Sequence, residues 1–503
     1  MGDQYSVLST ADARQLLRRA GFSGTPTKIK YLVGKTRGAA ADSLLRFRSI
    51  KIKPYGRDIE GVRRAWLRTM LTAPFPLQEK LILFWHDHFA TGADKVSDPK
   101  IMSDQIGLLR LYAKGNFKAM VKAINKNPAM MWFLDTILNR KSQPNENYAR
   151  ELQELFTLGV KDLLGVDNYT QADVVQIARA FTGWRFDYTT LVPSMSTSRH
   201  DFQYPPSYSG PDRGDKVIYK NRAPFGSNGA AYAANAGEEG EAEIDKIIDI
   251  IFQHQDSQGH NTVARHIAHK LFTYFCHATP PLTTIDELIT ASSFDTQFEI
   301  APLVRAMLCH DEFYATAAPA PFDATTKKSV KWPIDYVVST MRLFSMRPDS
   351  RYWTVGYAES EVTDHLSNMG QNLLEPPSVF GWDWEAGWLN SATMLARYNF
   401  ARDVIAARRF SIFGFHPENI RVSSTLKLID LTAPADIVNA ATDYLGITDQ
   451  LTLADRTALI AYLQDDGNGG TYTTLDLHDY DIRHTKLHGL FGVLLQSAAY
   501  QLH

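Results

Sequence analysis

Along most of this chain apolar residues recur every three or four positions, the spacing that stacks them on one face of an α-helix. The pattern predicts helices from Thr10 to Gly21, then over Thr25–Lys35, Ala39–Arg48 and Ile59–Leu71, with short linkers between them. It continues from Pro76, a residue tolerated in a helix's first turn, through Met102–Ala113, Phe117–Asn125 and a further start at Asn127-Pro128. From Glu241 it resumes in EAEIDKIIDIIFQ, NTVARHIAHKLFTYF, TIDELITASSF, IAPLVRAMLC and, after Lys331-Trp332-Pro333, IDYVVSTMRLFS. The expected fold class is therefore mainly α: a large multi-helical protein with aromatic, Pro- and Gly-rich loop insertions and at most a short β-hairpin. No repeat of fixed period is visible, which argues against a solenoid.

The helical period fades after FTGWRF, and from about 187 to 240 Tyr, Pro, Ser and Gly accumulate. A short hairpin is expected around KVIYKN, Lys216 to Asn221. A loop this long inside a compact protein is usually functional or disordered. Phe202, Tyr204, Tyr208 and Tyr219 favour an ordered lid or wall. Residues 1–410 are expected to form one continuous helical main domain containing this insertion, with 411–503 as a small helical extension packed on it. The DDGNGGTYTT turn from Asp465 lacks the ligand spacing of a calcium hand and reads as a loop.

The densest grouping of acids, bases and aromatics lies in NENYARELQELFTLG, Asn145 to Gly159, and FWHDHF, Phe84 to Phe89. Asn145 can cap a helix of about Glu146 to Leu158, and Gly159 suits a left-handed stop. At roughly 100° per residue, Tyr148, Ala149, Leu152, Leu155 and Phe156 share one face. Glu146, Arg150, Gln153, Glu154 and Thr157 lie opposite, with Glu151 on the seam. The plainest reading of Glu146, Arg150 and Glu154 is a row of exposed ion pairs. On the Pro76 helix His86 and His88 point about 200° apart, a poor chelating pair. His88 falls on the stripe of Leu77, Leu81 and Phe84, where a histidine is ordinarily a core residue bonded to a carbonyl; His86 sits near Glu79 on a more polar edge. Beside a cleft, the same burial would tune His88 for acid–base work.

A second aromatic loop, EPPSVFGWDWEAGWLN, offers Trp382, Trp384, Trp388, Asp383 and Asn390 either as a stacking platform or as indoles closing a helical core. Composition narrows the classes: 44% hydrophobic, 21% charged and a net charge of -2 describe a globular chain and argue against a general nucleic-acid or anionic-membrane binder. No apolar run reaches about 18 residues, so no membrane insertion is expected. The start, MGDQYSVLST, has no hydrophobic signal core, which points to a cytoplasmic chain or one exported with a partner. Cys276 and Cys309 have no zinc or redox spacing and read as packed thiols.

Six segments, LLRRAGF, FWHDHFATG, PNENYARELQELFTLGV, YTQADVVQIARAFTGW, ARHIAHKLFTYF and EPPSVFGWDWEAGWLNSATMLARYNFA, together resemble the bacterial family called domain of unknown function 1800. The resemblance runs from Arg14 to about Arg402 in family order. The family supplies no established activity. In it, neighbours resembling an exported alkaline-phosphatase-like family are common, which implies a possible protein partner of that kind. Where the family usually carries HD-x-G-x-K, this chain reads PDRGDK, with Pro211 in the histidine's place and Asp212, Gly214 and Lys216 retained. His269 stands where the family often has Arg, leaving Lys270 as the retained cation.

The chain has no G-x-S-x-G elbow, P-loop, H-E-x-x-H or di-iron E-x-x-H pair. What remains is a constellation of candidate catalytic residues, Glu151, Glu154, His88, Arg150 and Glu146, with Trp85, Trp184, Trp382, Trp388, Asn390 and Lys270 as candidate substrate contacts. Two carboxyl groups and an aromatic floor are the inventory of sugar chemistry. The leading expectation is thus a glycan-active hydrolase or lyase without cofactor, taking a glycan or other small polar ligand. Two alternatives stay open: a metal-assisted oxidoreductase or hydrolase with His86 or His88 and Glu151 or Glu154 as ligands, and a non-catalytic partner of the alkaline-phosphatase-like protein.

Overall fold

The computed structural model describes residues 3–48, 53–202, 216–232, 241–315, 328–346, 357–406 and 415–503. Helices carry the fold, and among the described residues strand is confined to two small antiparallel pairs. Helix boundaries follow their caps. Ser9 and Asp12 form a reciprocal capping box at the start of Thr10–Ala20, and Thr170 and Asp173 do the same for Gln171–Ala180. Helix Phe117–Asn125 has the expected ends, with the Asn116 side chain accepting from the Ala119 amide. The next helix upstream, Pro99–Tyr112, begins three residues before the expected Met102, because Asp98 caps the Lys100 and Ile101 amides.

Two strand assignments differ from the sequence reading. Gly183 has φ +83, and a Cβ there would lie 2.7 Å from the Ser196 carbonyl, so the chain turns sharply out of the helix. Strand Trp184–Phe186 follows and pairs with Pro193–Met195, burying Trp184 and Phe186 while Arg185 faces out. The second pair joins Val217–Ile218 to Ala230–Ala231, so the KVIYKN stretch finds its partner well downstream instead of within itself. Tyr204, Tyr208, Pro211, Asp212 and Gly214 lie outside the described residues.

One hydrophobic cluster runs from Leu8 to Tyr500 and takes in Leu428, Ile437, Leu463 and Phe491 from the C-terminal segment. Helix Gly489–Gln496 packs on Ser391–Ala406, and the Lys331 amide donates to the Gln501 carbonyl at 2.9 Å. Buried ion pairs pin the helices that surround the centre. Arg110 holds Glu79 through both carboxylate oxygens, joining the Pro99–Tyr112 and Pro76–His88 helices, and Lys80 meets Asp335 at 3.0 Å. Such a pair stabilises little against an apolar substitute, but removing one partner typically costs about 3–5 kcal/mol. Lys216, the retained cation of PDRGDK, is fully buried, with Nζ 2.7 and 2.9 Å from the two Glu243 oxygens. His200 Nε2 lies 2.9 Å from the same carboxylate. Lys216, directly before strand Val217–Ile218, therefore ties the second sheet to helix Glu241–Ile251, and His200, beyond the first sheet, reaches the same carboxylate. No helix among the described residues is long and apolar enough to cross a membrane.

Candidate functional site

The Asn145 side chain accepts from the Asn147 amide at 2.9 Å, as expected, and the helix runs over Asn147–Glu154. It ends four residues short of the expected Leu158. The amides of Leu158 and Gly159 both reach back to the Gln153 carbonyl, the Phe156 amide bonds the Glu151 carbonyl, and Gly159 takes φ +80. This widened turn leaves the Leu155 and Phe156 carbonyls free to face other elements. Tyr148, Ala149, Leu152 and Phe156 are buried, as the helical wheel requires. Gln153 and Thr157, placed by the wheel on the polar side, are buried too. Gln153 Oε1 accepts from the Tyr219 hydroxyl at 3.1 Å, so the insertion covers that side of the helix, and Thr157 Oγ1 donates to the Leu152 carbonyl at 2.5 Å within the widened turn.

Glu151 lies at the edge of the buried face, half-buried, with Oε2 withdrawn from solvent and lacking any hydrogen-bond partner. Burial pushes its pKa up to about 7, the neighbouring Glu154 carboxylate adds to the rise, and Arg150 opposes it. Glu154 accepts from the Tyr169 hydroxyl at 3.1 Å, and burial together with Glu154 raises the pKa of that phenol. Glu146 and Arg150 form the surface network expected of exposed pairs: they meet at 3.2 Å, and Gln171 bridges them, donating to Glu146 at 2.7 Å and accepting from Arg150 at 2.8 Å. The acid–base candidates on this helix thus reduce to Glu151 and Glu154.

A second cluster lies deeper, where FWHDHF, ARHIAHKLFTYF and EPPSVFGWDWEAGWLN meet. Helix Pro76–His88 extends through both histidines and buries them. His88 is 2% exposed, and its Nε2 lies 3.2 Å from the Phe156 carbonyl. Burial first, then Lys270 and His266, hold its pKa well below the ordinary value. Its geometry is that of a core histidine. His86 is not on a polar edge; it is wedged between the Trp66 and Trp382 rings, 5.4 Å from each, with both nitrogens unpartnered and a pKa driven down to about 3 by burial.

Asp87, between the two histidines, faces the second aromatic loop. Its Oδ1 accepts from the Trp382 amide at 2.7 Å, and the Trp384 indole also donates to the carboxylate. Gly381 has φ +89, and a Cβ there would sit 2.3 Å from Asp87 Oδ1, so only glycine allows this approach. Burial pushes Asp87 up to about 7, opposed by the Trp382 amide, Lys270 and Trp384. Lys270, from helix Thr262–Phe275, has its pKa lowered by burial, with Asp87 countering. One turn earlier His266 abuts Gly159 and contacts the Leu155 carbonyl; its Nε2 is unpartnered, and burial lowers its pKa to about 3. Asp87 and His266 were not singled out in the sequence, whereas Trp384 was read there as part of the second aromatic loop. The spacing of His266, Lys270 and Thr273, which puts three polar residues on one side of the helix, was the available signal.

The other candidate contacts are structural in position. Trp85 donates to the Ala113 carbonyl at 3.0 Å and packs against Phe89 and Phe117. Trp184 is 1% exposed, and Trp382 and Trp388 surround Trp332 in the core. No sugar ring can stack on indoles buried in this way, so the expected aromatic floor is absent from these four positions. Asn390 and Thr393 exchange hydrogen bonds of 3.0 Å in a capping box that starts helix Ser391–Ala406. Among the described residues no three His, Cys, Asp or Glu side chains come together as a metal-binding group. Cys276 and Cys309 are separate, buried thiols.

The architecture is a mainly α-helical protein in which three sequence motifs converge on the buried Asp87 and the half-buried Lys270 and His266, with a half-buried carboxyl pair on the helix beside them. The chain belongs to the family described as "Protein of unknown function (DUF1800)", which matches residues 15–502. No curated protein and no solved structure matches it.

Proposed function

We propose that this protein is an enzyme that cleaves a glycan, by hydrolysis or elimination, through general acid–base catalysis with Glu151 as the acid and Glu154 as the second carboxylate. The observation that carries the reading is the state of Glu151. Its carboxyl group is raised to about 7, so that a substantial fraction keeps its proton near neutrality, one oxygen has no partner inside the protein, and a second carboxylate stands one turn away on the same helix. A general acid needs a pKa near the working pH so that it carries a proton and can still release it. In that role Glu151 protonates the leaving glycosidic oxygen. Glu154, oriented by Tyr169, activates water in hydrolysis or takes the carbon-bound proton in elimination. With the tryptophans buried, substrate recognition in this reading falls to polar contacts along the helix.

The test is a screen of the purified protein against polysaccharides, followed by Glu151→Gln and Glu154→Gln. The expected result is turnover of at least one polymer, abolished by the first change and lowered by the second, with both variants folded. Full activity in Glu151→Gln, or no turnover of any polymer by the unaltered protein, would refute the assignment.

A further inference from the structure

At the start of the helix that carries Glu151 lies a surface pocket of about 550 Å³, a volume within the range of small-ligand sites. Three guanidinium groups, Arg140, Arg185 and Arg199, line it together with Gln143, Asn145 and Glu146. They come from three separate segments that the backbone locks side by side. The Lys141 amide donates to the Arg199 carbonyl at 2.8 Å, the Gly183 amide to the Asn139 carbonyl at 2.9 Å, and the Ser196 amide to the Gly183 carbonyl at 2.8 Å. The buried Asn139 side chain accepts from the Asn145 amide and donates to the Ala178 carbonyl, both at 2.9 Å, which fixes the pocket's rim to the helix start. Arg185 projects outward because its neighbours Trp184 and Phe186 point into the core. The three arginines are therefore presented by a rigid frame.

Among the described residues their charges are uncompensated. None of the three guanidinium groups makes a hydrogen bond or ion pair with a described residue, whereas most other arginines of the chain do. Glu146 is the one carboxylate in the lining, and its Oε2 is already engaged by Arg150 and Gln171. Three positive groups facing one concavity repel one another, and in a chain of net charge -2 they are not a by-product of a basic composition. Guanidinium forks match the planar oxygens of carboxylate and the oxygens of sulfate, while the amides of Gln143 and Asn145 suit hydroxyl groups. From Glu146 to Glu151 the helix rises about 7.5 Å and turns through about 140°, so an oligosaccharide that reaches both places wraps part of the way round the helix.

We propose that this arginine pocket binds the anionic substituents, carboxylate or sulfate, of an acidic glycan. The sugar part of this assignment rests on the glycan reading above; the charge rests on the pocket alone. Binding is measured by calorimetry for four probes: an oligouronate, a sulfated oligosaccharide, a neutral oligosaccharide of equal length, and inorganic sulfate. The protein is compared with Arg185→Ala/Arg199→Ala and with Glu151→Gln. Both arginines are exposed and unpaired, so the double variant should melt with the unaltered protein.

One or both acidic oligosaccharides should bind the protein and Glu151→Gln alike, weaken roughly tenfold or more in the double-arginine variant, and weaken again in high salt. Whether the uronate or the sulfated probe binds more tightly identifies the substituent. Binding of both acidic probes unchanged by the arginine substitutions overturns the proposal, as does equal binding of the neutral probe. Inorganic sulfate binding as tightly as the best oligosaccharide would reassign the pocket to a small free anion and overturn it as well. The two readings fail separately. Arginine-dependent binding with full turnover in Glu151→Gln sinks the acid assignment and keeps the pocket; absence of acidic-glycan binding beside turnover of a neutral polymer does the reverse.

Discussion

Glu151→Gln should make the protein more stable at alkaline pH and leave it unchanged in acid. Burial raises this carboxyl from its ordinary 4.5 to about 7, whereas in the unfolded chain it returns to the ordinary value. Between those two values unfolding releases a proton, so stability falls as pH rises from about 4.5 through about 7 and then levels off. A difference of about 2.5 pH units corresponds to about 3 kcal/mol for a fully enclosed group. Glu151 is only half withdrawn from water, and screening reduces this to roughly 1–2 kcal/mol. Glutamine keeps the shape and carries no charge to desolvate. Urea unfolding of both proteins between pH 4 and 8.5 should thus give a stability difference near zero at the acid end, growing to roughly 1–2 kcal/mol in favour of the variant at the alkaline end. A flat difference would show that Glu151 titrates normally and has no claim to an acid's role. A variant weaker by about 3–5 kcal/mol at high pH would show that the carboxylate neutralises a buried cation and is scaffold.

Three further outcomes follow from the geometry. Gly381→Ala combines a left-handed backbone with a Cβ placed 2.3 Å from Asp87 Oδ1 and should cost roughly 2 kcal/mol or more in chemical denaturation, displacing Asp87 as it does so; a neutral change would refute the close approach. Asn390→Ala should cost about 1 kcal/mol through loss of the helix cap and leave every ligand affinity unchanged, so a binding defect at full stability would restore it as a substrate contact. His86 and His266, with pKa values near 3, and His254, near 4, stay neutral when folded and protonate near 6.5 when unfolded. Each therefore withdraws stability as pH falls from about 6.5 toward those values, and His266→Phe should flatten the acid limb of the stability profile measured by thermal melts.

The helical class and most helix positions were legible because periodicity and caps are local properties, as the match at Phe117–Asn125 shows. The strand at Trp184–Phe186 was not, because its direction is set by Gly183 packing against Ser196, a contact made only after folding. The same distinction runs through the site. Glu151 could be placed on the seam of its helix from 100° steps alone. The wheel failed for Gln153 because its partner, Tyr219, arrives from a separate segment of chain. The tryptophans could be read equally as a platform or as core because sequence records their number and not which side of the surface they occupy. Asp87 was overlooked between two more conspicuous histidines, and its environment is built by residues almost three hundred positions away. The arginines of the pocket share no periodicity at all, and only the locked segments bring them together.

The widened turn after Glu154 has a consequence for the two imidazoles it faces. A carbonyl can only accept, so the Phe156 contact obliges His88 to carry its hydrogen on Nε2, leaving Nδ1 as the bare nitrogen. At His266 the unpartnered atom is Nε2, so the Leu155 contact falls to Nδ1 and the arrangement is reversed. Neighbouring rings, both neutral, are thereby drawn toward opposite tautomers by two successive peptide carbonyls. Nitrogen-15 spectra of the folded protein should show one ring of each kind, and neither should interconvert until the turn itself unwinds.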